Sequence, residues 1–90
     1  MTLSGSGGQF ECDANAKTAT LALPGGKLVN AGATAAYIQV ESAAPTAADT
    51  TAASNIKLPA NMTWVYELPP TCLAFKFVCA SSSTLLVYFR

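Results

Sequence analysis

Apolar and polar side chains alternate along most of this chain with a period of two, the spacing that puts one face of a strand in a core and the other in water. From Gln9 onward, Phe10, Cys12 and Ala14 fall on one side, with Gln9, Glu11 and Asp13 on the other. Asp13-Ala14-Asn15-Ala16 then supplies turn chemistry. Residues 18–23 repeat the alternation, with Ala19, Leu21 and Leu23 against Thr18 and Thr20. Pro24-Gly25-Gly26 ends that strand as a hairpin turn, because proline fixes φ and glycine accepts positive φ. Residues 27–29 begin a third strand, Asn30-Ala31-Gly32 marks a turn or bulge, and residues 34–41 form a fourth strand with Ala36, Ile38 and Val40 inward.

Residues 42–54 carry no large apolar side chain. Their alanines suggest a helix, but Pro45 and the many Thr and Ser residues argue for a long surface loop. A short strand over 55–58 closes at Pro59-Ala60-Asn61, and Met62, Trp64 and Tyr66 alternate with Thr63, Val65 and Glu67. Pro69 and Pro70 cannot donate to a ladder, so pairing stops there. Residues 72–80 and 84–89 flank Ser81-Ser82-Ser83 and read as a terminal hairpin, the most apolar part of the chain. Seven to eight short strands with frequent turns predict an all-β fold, an antiparallel β-sandwich or jelly-roll-like barrel. The predicted organisation is a flexible Gly/Ser arm over residues 1–8 and a single β-sandwich domain over 9–90.

Composition narrows the function. In 90 residues there are five basic and five acidic side chains, scattered, and the charged fraction of 11% compares with a typical quarter. No basic cluster exists to hold nucleic acid or an anionic membrane, so neither is expected as a partner. No apolar run near Met1 has signal-peptide length, and residues 73–80 are too few to span a bilayer, which gives the expectation of a chain made in a cytoplasm. A small domain with a weakly charged Ala/Thr/Ser surface loses little on desolvation, which suits packing against other protein.

Catalytic chemistry is hard to assemble from these residues. With no histidine, Ser-His and Cys-His nucleophile pairs are excluded, and neither a catalytic site nor a cofactor site is expected. The three cysteines, Cys12, Cys72 and Cys79, contain no CxxC, so no metal site is expected either. Cys72 and Cys79 lie roughly 20 Å apart along one strand and cannot bond to each other, so free, partly buried thiols are expected. Leu23-Pro24-Gly25-Gly26-Lys27 lacks the spacing of a phosphate loop, and the Asn61-Met62-Thr63 glycosylation triplet carries no weight without secretion. Tyr37, Trp64 and Tyr66 could stack on a sugar, although aromatics at this spacing also serve as core and cross-strand pairs. The last strand has bulk on both faces, Leu85, Val87 and Phe89 against Leu86 and Tyr88, and is assigned to a subunit interface.

The runs Leu23-Pro24-Gly25-Gly26, Val29-Asn30-Ala31-Gly32 and Ala36-Tyr37-Ile38-Gln39-Val40, followed by Leu58-Pro59-Ala60-Asn61, resemble a class of small tailed-bacteriophage virion structural proteins, over residues 17–90. The resemblance implies a non-enzymatic head decoration, or cement, protein that oligomerises and stabilises the shell. It implies the major capsid protein or another virion protein as partner, and the capsid surface, assembled in the host cytoplasm, as location. A homo-oligomer, preferentially a trimer, is expected. Its contacts are expected to come from Thr2, Leu3 and Ser4 in the arm, from Leu86 and Tyr88 or else Leu85, Val87 and Phe89 in the last strand, and from Trp64 and Tyr66. The alternative is a tail or fibre module that recognises a host surface glycan or another virion protein.

Overall fold

A computed structural model describes residues 2–41, 56–79 and 82–90. Among these the chain forms nine strands: β1 (Thr2–Leu3), β2 (Gly8–Cys12), β3 (Lys17–Leu21), β4 (Gly26–Asn30), β5 (Ala36–Glu41), β6 (Ile56–Leu58), β7 (Tyr66–Leu68), β8 (Ala74–Cys79) and β9 (Thr84–Phe89). They make two sheets, a five-stranded one ordered β1-β3-β8-β5-β6 and a four-stranded one ordered β2-β9-β4-β7. All neighbours are antiparallel except β1 and β3, which run parallel. The all-β, sandwich-like fold expected from the period-two pattern is present.

The core lies between the sheets. Ala19, Leu21, Ile38, Leu58, Phe75 and Phe77 face it from one sheet, and Phe10, Leu28, Leu68, Leu86 and Tyr88 from the other. Phe10 reaches across the gap, its ring centroid 4.9 Å from Phe77 and 6.2 Å from Phe75, in tilted arrangements that suit the ring quadrupoles. These positions are the inward halves of strands whose side chains alternate between the core and the outer face.

The connections differ from expectation. Neither expected hairpin joins neighbours of one sheet, because β3 and β8 belong to one sheet and β4 and β9 to the other. Residues 22–25 carry the chain from the first sheet to the second. β8 and β9 are both interior strands, so each already has neighbours on its two edges and neither can pair with the other.

Residues 2–8 also depart from the flexible arm expected of their Gly/Ser composition. Thr2 and Leu3 pair with Thr20 and Leu21, Leu3 is buried, and the Ala22 N–H donates to the Leu3 carbonyl at 3.0 Å. The glycines make a tight link into the second sheet: the Gly7 N–H donates to Ser4 O at 3.1 Å, and Gly7 has φ +95° with a would-be Cβ only 2.5 Å from the Tyr88 carbonyl oxygen. One buried leucine and two ladder positions tie this segment to β3.

The strand expected around Met62 begins four residues later, at Tyr66. Asn61 takes φ +52°, and the N–H groups of Asn61 and Met62 donate to Gly32 O and Asn30 O. That clamp holds the segment against the β4 end as a loop. The loop expected over 42–54 lies outside the described residues.

Candidate functional site

Asn30 organises one end of the sandwich. Its side chain is fully buried, and all of its polar capacity is used. The Nδ2 group donates to Thr34 O at 2.8 Å and Leu58 O at 3.1 Å, while Oδ1 accepts from the Gly32 N–H at 3.0 Å and the Thr84 hydroxyl at 2.7 Å. Gly32 sits so close to β9 that a Cβ would stand 1.9 Å from Thr84 Oγ1. At the other end, the Tyr88 hydroxyl donates to Gly25 O at 2.6 Å, and Arg90 Nη1 donates to Pro24 O at 2.8 Å. The two turns that punctuated the sequence are thus pinned to β9 by side chains.

Between Gly26, Lys27, Glu67 and Arg90 lies a cleft of about 260 Å³. It is smaller than ordinary ligand pockets of roughly 300–1,000 Å³, and Arg90 is already engaged by the turn carbonyls. Among the described residues no three His, Cys, Asp or Glu side chains gather to hold a metal, and no helix is long and apolar enough to cross a membrane.

The outer faces of the two sheets differ. On the five-stranded sheet Thr18 stands opposite Lys76, Lys76 opposite Gln39, and Tyr37 opposite Lys57, a polar surface. On the four-stranded sheet Val87 stands opposite both Val29 and Gln9, Leu85 opposite Glu11, and Phe89 opposite Lys27. Val29, Leu85, Val87 and Phe89 are all partly exposed. They form an apolar stripe with Gln9 and Glu11 on one margin and Lys27 and Glu67 on the other. Opposite charges at the margins of an apolar centre are the arrangement of a protein-binding patch, with its dry core and polar rim.

The nominated contact residues separate into two groups. Leu3, Leu86 and Tyr88 are 4%, 0% and 1% exposed and pack in the core, so they cannot line a contact surface of the folded chain. On β9, Leu86 and Tyr88 point inward, and Leu85, Val87 and Phe89, the other set expected for a contact, form the outer stripe. Thr2 and Ser4 are exposed at the β1 edge, and Trp64 is 51% exposed beside Val65. Tyr66 turns inward against the core, its phenol pushed above the ordinary range by burial. Tyr37 lies on the other sheet, so Tyr37, Trp64 and Tyr66 do not form one stacking platform.

The three cysteines are buried thiols, none of them in a disulfide. Cys72 precedes β8, its Sγ 3.4 Å from Ala74 O. Cys12 and Cys79 meet across the two sheets, Sγ to Sγ at 3.4 Å, a proximity that spacing along the chain could not disclose. Burial pushes both thiols up from the usual thiol range.

Comparison with protein-family models, curated proteins and solved structures returns no match for this chain.

Proposed function

We propose that this chain is a non-enzymatic structural subunit that self-associates, and docks on a larger protein shell, through the outer face of its four-stranded sheet. The observation that carries the reading is the stripe of Val29, Leu85, Val87 and Phe89 along the outer face of one sheet. A partly exposed apolar row of this kind is stabilised by covering it. The resemblance of the turn motifs to small phage virion proteins supplies the setting: decoration of a virus head, with the major capsid protein or another virion protein as partner. The few charges fit attachment that varies little with salt.

The test is sedimentation velocity on the wild type and on Val87→Asp at about 100 µM, in low and high salt, with circular dichroism to check folding. The wild type is expected to be an oligomer, a trimer in the simplest case, and the variant a folded monomer. Mixing both with undecorated shells should give occupancy by the wild type alone. A monomeric wild type that leaves shells bare sinks the reading. Exposed Trp64 and Val65 support a second one, a tail or fibre module binding a host glycan or another virion protein. Glycan binding lost in Trp64→Ala and retained in Val87→Asp would replace the first.

A further inference from the structure

Cys12 ends β2, an edge strand of the four-stranded sheet, and Cys79 ends β8, an interior strand of the other sheet. They are 67 positions apart in sequence, and no ladder joins their strands. Their sulfurs nevertheless stand 3.4 Å apart, the Cys79 thiol also lies 3.4 Å from Cys12 O, and the Cys79 N–H donates to Asp13 O at 2.7 Å. The two backbones are therefore held together independently of the sulfurs. A disulfide bond is about 2.05 Å long, so closing this gap asks for side-chain rotation and no change of register. Cys72 is the internal comparison: it is equally buried, and its thiol lies 3.4 Å from Ala74 O.

We propose that Cys12 and Cys79 are a cross-linking site, a latent disulfide that fastens one sheet to the other when the protein meets an oxidising low-molecular-weight disulfide of the glutathione class. One cysteine thiolate attacks the small disulfide, forming a mixed disulfide and releasing one small thiol. The second cysteine thiolate then attacks the protein-bound sulfur, forming the Cys12–Cys79 bond and releasing the second small thiol. The two protons leaving the cysteines end on the two released thiolates, and two electrons pass from the protein to the small disulfide. Both sulfurs are buried, so the reaction proceeds through fraying of the β2 end at the sheet edge. The raised pKa values act in the same direction, keeping the pair as thiols in a reducing cytoplasm. A chain that moves from reducing to oxidising surroundings would acquire the link without refolding.

The experiment equilibrates the full chain in oxidised and reduced glutathione mixtures, with and without denaturing urea, quenches in acid and maps peptides by mass. The expected product is a single Cys12–Cys79 disulfide, with Cys72 still a thiol. Its formation should be favoured in the folded chain over the unfolded one by on the order of a thousandfold, the loop-closure value for a loop of 67 residues. Oxidation should raise the urea midpoint, and dithiothreitol should restore it. Cys72→Ala should behave as the wild type, and Cys79→Ala should give only mixed glutathione adducts. The wild-type measurement stands on its own if Cys79→Ala does not fold. Equal formation in the folded and unfolded chains, a link that includes Cys72, or glutathione adducts alone in the wild type would overturn the proposal.

Discussion

Replacing Asn30 by alanine should be among the most costly single changes in this protein. The substitution removes an amide that serves four partners, two of them through fully buried bonds, to Leu58 O and the Thr84 hydroxyl. A buried polar group left without a partner costs about 1–3 kcal/mol, so these two alone give about 2–6 kcal/mol. Gly32 N–H and Thr34 O lie nearer the surface, where water can replace the amide. A domain of this length has roughly 5–13 kcal/mol of stability in all, at about 0.05–0.15 kcal/mol per residue. The loss is thus a large part of the whole. In urea, with a slope of roughly 1 kcal/mol/M for a small chain, the unfolding midpoint should fall by about 2 M or more. Thr84→Val is the milder companion: Asn30 Oδ1 keeps its bond from the Gly32 N–H, so the cost should be about 1 kcal/mol. A double-mutant cycle should show strong coupling between the two sites. If Asn30→Ala lowers stability by less than about 1 kcal/mol, the amide is not the hub that its bonding makes it.

Four further outcomes follow from the same contacts. Gly32→Ala places a methyl group on Thr84 Oγ1 and 2.6 Å from the Leu85 nitrogen, and should lower stability by about 2 kcal/mol or more in urea titration. Leu3→Ala should cost about 2–4 kcal/mol, whereas truncating a disordered arm residue would cost nothing measurable by the same assay. Tyr88→Phe should cost about 1 kcal/mol, since Gly25 O keeps only a long contact from Arg90. The Asp13 carboxyl is held below its usual range by its bond from Lys17 and then by the Asn15 N–H. A depressed carboxyl contributes above its unfolded pKa and loses that contribution as pH falls through its folded pKa. An NMR pH titration should therefore show a low Asp13 midpoint that rises in Lys17→Met.

The strands could be read from the sequence because each buries one face, and a period of two registers that directly. Alternation puts Phe10 with Cys12, Ala19 with Leu21, and Ala36 with Ile38 on shared faces, and all six lie in the core, whereas Ala14 and Leu23, at the ends of those runs, are exposed. The partners could not be read. Pro24-Gly25-Gly26 has the same composition whether the chain doubles back in one sheet or passes to the other, so composition alone does not separate a β3–β4 hairpin from the pairing of β4 with β7 and β9. On β9 both faces are apolar, so alternation leaves open which set faces the core, and burial of Leu86 and Tyr88 decides it. Asn30 read as a turn residue. Only the converging groups of Thr84 and Leu58, 54 and 28 positions away, reveal its larger role. The Cys12–Cys79 contact spans 67 positions and has no local signal at all.

Among the described strands, β5 and β6 are the only sequence neighbours that share a ladder. This has a kinetic meaning. A chain whose neighbours in sequence are neighbours in space can gain structure piece by piece, but here almost every ladder must wait for a long loop to close. Joining Ile38 to Ile56 spans 18 positions, and joining Gly8 to Tyr88 spans 80. The longer closure costs about 1.3 kcal/mol more in chain entropy. That difference is small beside the ordering of the segments themselves, which must be met before most contacts form. Refolding should therefore be slow for the chain's size, in the millisecond-to-second range of sandwiches, with one cooperative phase. Until β2 and β4 flank it, β9 presents apolar side chains from both faces with no partner on either edge. The interval before closure is then when two chains would most readily meet wrongly, and dilution or a holding chaperone should raise the yield.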